Sequence, residues 1–412
     1  MFPKLPAALF LLVLCSFSNF SVAQEKIYFE PKFTLGGKQS DFITCKDIVV
    51  FETTPESKFD QYSRIIPTKK YFVVCDYTAK RILVFDKTGH FIKKVPNKLD
   101  LGRLTYNEEQ DRLEVVSANK MFRLTNRDNA EIREDYKNPK NLKYFRKYYI
   151  DFSDPEHFEV QKQKISAKDI LNPLPYEDGK FIVNQAIVDK NYKIAEDYEL
   201  KIYKDDSLIK KYFPYKKKND SRYIFDGGTV AVTASAAGNT KWVTHPYDYS
   251  VYALTGDSLY KVYDFVLPID RAVPGDFFTK EFQNKTEKDN YLRQNRKLIK
   301  QFNVYSLSAR YLNFSMQGMS YDRQQFIFDS KAKAFYNYDK VTPDSATFFM
   351  PVCRNFNFYD GTFYAKIAAD EAKRILDEHK SDSAAFPPAL KTYMETATTD
   401  SNPVLINFTY RN

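Results

Sequence analysis

The stretch Tyr71–Val95, YFVVCDYTAKRILVFDKTGHFIKKV, decides the fold. Tyr71–Cys75 is an apolar, β-branched and aromatic run that closes on Asp76, the composition of a short strand. A polar turn over Tyr77–Arg81 leads into Ile82–Asp86; a second turn, Lys87–His90, contains Gly89 and leads into Phe91–Val95. Asp76 and Gly89 mark the turns, because Asx side chains cap turns and glycine accepts positive φ. Three short strands and two tight turns in immediate succession predict the meander of a single propeller blade.

The same rhythm extends outward. Arg112–Ser117 (RLEVVS) echoes Tyr71–Asp76 and Met121–Asn126 echoes Ile82–Lys87, so a second blade is expected over Leu99–Tyr136. Ser117 falls 41 residues after Asp76, a typical blade period. A longer third unit would hold Tyr148–Phe152, Lys180–Val188 and Tyr198–Tyr203, with Asp205-Asp206 turning into Leu208–Phe213. The fourth reads as Gly228–Ala234, Lys241–His245, Val251–Leu254 and Leu259–Val266, with the hairpin signal TGDS at Thr255–Ser258. Val304–Leu307, Tyr311–Met316, Gln325–Asp329 and Ala334–Tyr338 make a fifth; Thr347–Pro351, Phe356–Phe358 and Thr362–Ile367 belong to a sixth.

Two stretches break the strand pattern. Asp289–Phe302 carries Tyr291, Leu292, Leu298, Ile299 and Phe302 on one helical stripe and Arg293, Arg296, Lys297 and Lys300 on the other face. A peripheral helical insertion is expected near 278–302, a second near 369–379, and a loop over Ser381–Pro388. The terminal Val404–Tyr410 alternates at period two and has no room after it for a partner hairpin. It is expected to close the ring with Ile48–Phe51, beside Thr362–Ile367 or Phe348–Met350, which would bring Cys45 into the blade of Cys353. The fold class read from these patterns is all-β: one six-bladed β-propeller over 24–412, with one or two inserted peripheral helices.

Met1–Ala23 has Lys4, an apolar core Ala7–Leu14 and a small-residue end at Ser21–Ala23, the pattern of a secretory signal peptide cleaved before Gln24. The core is too short to span a bilayer. Cys15 follows Leu14 where a lipobox would place a small residue, so a lipid anchor there is the less favoured expectation. Export leads to the periplasm or cell surface. The 31 tyrosines and 35 phenylalanines suit half-buried strands, while only 12 glycines in 412 residues argue against a Gly-rich nucleotide-binding scaffold. The basic residues behind the net charge of +9 are scattered and read as solvated faces; with export, acidic glycans, envelope surfaces or no particular partner fit better than nucleic acid. Cys45, Cys75 and Cys353 are too dispersed for a CxxC-type metal site, and Cys75 reads as a small core residue.

The blade stretch Val73–Ile92, the hairpin VYALTGDSLYKVYDF at Val251–Phe265 and the closing NPVLINFTY at Asn402–Tyr410 resemble the secreted six-bladed β-propeller family of Bacteroidota, with NHL-like repeats. The resemblance implies an exported propeller, often an envelope lipoprotein, with no assigned activity. It departs at Lys93–Gly102 (KKVPNKLDLG), where the family carries a Gly-Pro-Glu-containing turn.

Candidate sites are few. His90, His157, His245 and His379 show no metal-ligand spacing, and GxSxG, HExxH and P-loop motifs are absent. Asp76 is the one tempting acid, as a channel Ca²⁺ ligand; the competing reading is that it caps its turn. Asp-Ser-aliphatic tripeptides place Ser207, Ser258, Ser345 and Ser383 in a pattern similar to periplasmic O-glycosylation acceptors; Asp and Ser are also ordinary turn residues. Lys216–Lys218 reads as a solvated charge run. The leading expectation is a non-catalytic binding or scaffold protein, without cofactor, that engages a glycan, peptide or envelope partner. The alternative is a channel-centred hydrolase, Ca²⁺-dependent and lactonase-like, or a lyase.

Overall fold

The computed structural model describes residues 25–95, 101–119, 132, 137–154, 158–184, 196–205, 207–216, 230–234, 239–277, 279–319, 322–352, 356–359 and 362–411. Three N-terminal strands, β1 (Glu25–Tyr28), β2 (Leu35–Lys38) and β3 (Ile43–Val50), precede the first blade. Blade one is β4 (Arg64–Pro67), β5 (Tyr71–Asp76), β6 (Arg81–Asp86) and β7 (Phe91–Val95). Blade two is β8 (Arg103–Asn107), β9 (Arg112–Ala118), β10 (Phe145–Asp151) and β11 (Val160–Gln163); blade three is β12 (Leu174–Pro175), β13 (Lys180–Val183), β14 (Glu196–Lys204) and β15 (Ser207–Lys216). Blade four holds β16 (Ala231–Ala234), β17 (Lys241–Thr244), β18 (Ser250–Thr255) and β19 (Ser258–Val266); blade five holds β20 (Ile299–Leu307), β21 (Tyr311–Gly318), β22 (Arg323–Asp329) and β23 (Ala334–Thr342). β24 (Phe356–Tyr359), β25 (Thr362–Ile367) and β26 (Val404–Tyr410) make the last blade with β3 as its fourth strand. The six small sheets form a six-bladed β-propeller.

The central strands of blade one show why their sequences are apolar throughout. Phe72 to Cys75 and Ile82 to Phe85 are almost completely buried. Val73, Cys75, Ile82 and Val84 pack on blade two, while Phe72, Val74, Leu83 and Phe85 pack on the closing blade. Period-two alternation therefore distributes side chains between two neighbouring blades instead of between core and solvent.

The N-terminal strands form a belt. β1 adds to β19 and β2 to β23, both in parallel, and β3 pairs antiparallel with β26. Phe29, between β1 and β2, is 1% exposed and meets the rings of Phe265, Phe302, Phe314, Phe326 and Phe335. Its burial contributes about 3 kcal/mol. Closure follows the expectation from the C-terminal pattern: Ile406 lies opposite Ile48 on one side and Ala365 on the other. Gly89, at φ +92°, lets the β6–β7 turn press against β3, where an added Cβ would come within 2.3 Å of the Val50 carbonyl oxygen.

Asn402 fastens the closure and is fully buried. Its Oδ1 accepts from the Phe59 N–H at 2.8 Å, and its Nδ2 donates to the carbonyls of Glu52 at 2.8 Å and Ser57 at 3.1 Å. The Thr53 hydroxyl accepts from its own N–H at 3.0 Å.

Four sequence expectations need correction. The helix expected through Phe302 is α2 (Lys285–Gln294; α1, Ala167–Ile170, precedes it), and Ile299 and Phe302 pair with β21 as strand residues. Asn295 ends the helix, its backbone N–H and Nδ2 both donating to the Tyr291 carbonyl. Tyr148–Phe152 does not open the third unit: β10 pairs with β9 along its whole length in blade two. Thr347–Pro351 is not a strand. Asp344 caps a 3₁₀ turn there, and the consecutive positive φ of Phe348 and Phe349 takes the backbone out of the extended region. The loop expected at Ser381–Pro388 contains a 3₁₀ turn at Lys380–Ala385, and α3 (Ala369–Glu378) is followed by a further helix, α4 (Pro388–Thr396). Met121–Asn126 and Cys353 lie outside the described residues; Cys45 and Cys75 carry free thiols, which burial pushes up to about 12.

Replacing Asn402 with Ala should leave the buried Phe59 N–H and Ser57 carbonyl without the side-chain partner they now have, while the Glu52 carbonyl keeps the Ser57 hydroxyl, and cost about 2 kcal/mol or more. Urea unfolding would measure it, and a loss below about 0.5 kcal/mol would mean that the latch is incidental.

Candidate functional site

Apolar clusters fill the seams between most adjacent blades: six with one, one with two, three with four, four with five and five with six. Between blades two and three the described residues build something different. Only Leu171, Phe181, Val183 and Tyr203 form an apolar cluster there, beside an open cleft of about 580 Å³ with charged walls.

The floor of the cleft is a chain of ion pairs. Arg112 reaches Glu114 at 2.6 Å; Lys147 bridges Glu114 at 3.0 Å and Asp169 at 2.9 Å. The side chains of Lys147 and Asp169 are only 11% and 8% exposed. Asp169 also caps α1, its Oδ2 accepting from the Ser166 N–H and hydroxyl, and its carbonyl accepts from Arg103 at 3.0 Å. Burial opposes the charge of Glu114 and Asp169. Hydrogen bonds from Arg112 and Lys147 to Glu114, and from Lys147 and Ser166 to Asp169, outweigh it and hold both carboxyls below the usual range.

The first-to-second-strand hairpins of blades two and three, with residues from the same region of blade four, form the rim. Tyr176 donates to the Gly256 carbonyl at 3.0 Å and Lys180 pairs with Asp257 at 2.8 Å, tying blade three to the β18–β19 hairpin. Lys241, the first residue of β17, and Asn239 complete the wall. A second cleft of about 320 Å³ shares the lining residues Lys168 and Phe181 with the first. Phe181 stacks on Tyr203, and the Lys168 ammonium sits 4.4 Å from the Phe181 ring centre. Such a groove can bind a polar ligand through many directional contacts.

The residues singled out from the sequence do not gather here. Asp76 is 2% exposed; its Oδ1 accepts from the Ala79 N–H at 2.8 Å and its Oδ2 from Arg81 at 3.0 Å. Asp329 does the same in blade five, accepting from the Lys331 and Ala332 N–H groups and from Arg310. Among the described residues no three His, Cys, Asp or Glu side chains come together to hold a metal. His90 pairs with Glu52, His245 with Glu199 and His379 with Asp382; His157 and Lys217–Lys218 lie outside the described residues. Ser207, Ser258 and Ser345 are exposed. The groove itself was not marked by any motif, since its charges come from separate segments. The local hint is Arg112-Leu113-Glu114, which alternates charge around a buried leucine.

Because the folded carboxyls are depressed, their contribution to stability is present above about pH 4.5 and is lost as pH falls through the lowered folded values. Replacing Glu114 with Gln and Asp169 with Asn should flatten that acid loss in urea melts at pH 7 and 3.5; an unchanged pH slope would contradict the assignment. Lys147→Ala should cost about 1–2 kcal/mol, because Glu114 keeps Arg112 and Asp169 keeps the Ser166 donors while both lose their shared ammonium.

No family model matches the chain, and no curated protein matches it. Among solved structures, it is similar to a protein of Bacteroides fragilis NCTC 9343 assigned as exported: TM-score 0.57 at 13% identity, covering 94% of this chain and 100% of the other. A member of the DUF4221 family from Bacteroides vulgatus matches at TM-score 0.38 and 9% identity, over 90% and 98% of the two chains. The β-propeller domain of a trilobed protease from Pyrococcus furiosus matches at 0.31 and 10%, over 74% and 79%. The first likeness shows the fold alone, and the other two are too distant to carry an argument.

Proposed function

We propose that the protein is an exported binding or scaffold propeller of the cell envelope, and that its ligand groove is the seam between blades two and three. One observation carries this: charged side chains at that seam, among the described residues, take the place of the apolar packing found between the other blades. Partly buried ion pairs contribute little net stability compared with apolar packing, so such a seam is better explained by recognition than by folding. Its size falls within the range of small-ligand sites. No helix among the described residues is long and apolar enough to cross a membrane, and the Met1–Ala23 leader supports export.

Thr105 lines the groove and is half-buried on the inner strand of blade two. On an array of tri- to pentasaccharides the full mature chain should bind at least one member, and Thr105→Trp should weaken that binding about tenfold or more without shifting the melting temperature. No binding to any member, or unchanged binding by the variant, would overturn the assignment.

The exposed hairpin positions of Ser207 and Ser258, and the exposed turn residue Ser345, support O-glycosylation; Ser383 shares the tripeptide. Intact mass of protein exported by its native host tests both readings. A chain beginning at Gln24 and heavier than the bare polypeptide is expected. A bare-chain mass would end the glycosylation idea, and a lipid adduct on Cys15 would overturn the cleavage site.

A further inference from the structure

The charges lining the groove nearly cancel. Six cationic side chains and five carboxylates line it, and Lys180 has a further carboxylate, Asp257, as its partner at 2.8 Å. Four of these charges are bound to one another in the Arg112–Glu114–Lys147–Asp169 chain. Glu108 and Glu109 stand exposed on the turn between β8 and β9, and Glu177 is half-buried on the wall that Lys241 completes. The Glu177 Oε1 lies 3.6 Å from where a Cβ at Gly256 would stand, against the β18–β19 hairpin. Burial pushes the Lys241 ammonium below the ordinary lysine value, and the charge of Glu177 opposes that shift. A chain with a net charge of +9 is therefore close to neutral where its groove lies.

A nearly neutral lining limits what the groove can hold. A ligand with net charge would lose hydration and meet repulsion as well as attraction along the same wall. Ammonium groups only donate hydrogen bonds, and carboxylates only accept them. A hydroxyl does both, so a polyhydroxylated molecule can engage the two kinds of side chain in turn, through charge-assisted bonds. Thr105, Gln110 and Asn239 offer further hydroxyl and amide groups to the same ligand. The Phe181 ring is buried and stacked on Tyr203, so it opens no socket for a peptide side chain.

We infer, on the reading of this seam as the ligand groove, that the groove selects uncharged oligosaccharides and that Glu177 turns acidic ones away. Titration calorimetry on the full mature chain tests it with matched probes. Each saccharide bound on the array is compared with its charged or uncharged counterpart of the same ring stereochemistry, as galactotriose with trigalacturonate or triacetylchitotriose with triglucosamine. The uncharged member should bind about tenfold more tightly, and its affinity should change less than about twofold as salt is added. Glu177→Gln should shrink the gap between the uncharged sugar and its uronate to about threefold or less, whereas Glu177→Asp should keep it. A charged member bound as tightly as its uncharged counterpart, or more tightly, would overturn the selectivity while leaving the groove to the Thr105→Trp test. An unchanged gap in Glu177→Gln would overturn the role of Glu177. Failure of the unaltered chain to bind any member of the array would remove the groove reading and this one with it.

Discussion

The pairing of β3 with β26 is the constraint on which the molecule depends. A ring of blades has a first and a last member that nothing in the chain's order holds together, and open strand edges are prone to part or to recruit other chains. Here the last strand is inserted between β25 and an N-terminal strand, so the closing blade contains both halves of the chain. Asn402 then fixes the start of β26 to the 52–59 segment, and the Gly89 turn of blade one packs against β3. Closure is thus coupled directly to the blade that follows it. The belt extends the same principle backward, because β1 and β2 cover the outer edges of blades four and five before the chain reaches β3.

With closure secured by strand pairing and aromatic packing, one seam can be spared from the core. Phe29 and its ring partners, with the clusters around Val73 and Leu83, supply apolar burial at other seams. Between blades two and three the contacts are ionic and hydrogen-bonded, and the space between them stays open. Apolar burial and the charged cleft therefore lie in different parts of the ring. The depressed carboxyls of Glu114 and Asp169 belong to this arrangement, since they keep the cleft wall charged over the ordinary pH range.

The fold was legible because each blade repeats a local signature. Tyr71–Asp76 and Arg81–Asp86 fall where the apolar runs and turn residues place them, and the alternation of Val404–Tyr410 revealed the closing strand. Asp76 as a turn cap follows from the same local logic. What failed was non-local. Ile299 and Phe302 fit a helical stripe as well as a strand, and only pairing with β21 decides between them. The 3₁₀ turn after Asp344 depends on αL backbone at Phe348 and Phe349, residues that do not advertise it. The groove was invisible for a related reason: Glu114, Lys147, Asp169 and Lys241 come from four segments, and each alone looks like a surface charge. Asn402, inside the quoted NPVLINFTY, carried no sign that it would be buried with its amide fully engaged.

Native-state amide hydrogen exchange, read strand by strand on the full chain, tests closure most directly. If the β3–β26 pairing holds the ring, amides of β3 and β26 should exchange only with global unfolding, in the slowest group together with β5 and β6. Exchange of β3 and β26 at markedly lower free energy than β5 and β6 would contradict the account, because the ring would then stay folded with its closing strands apart.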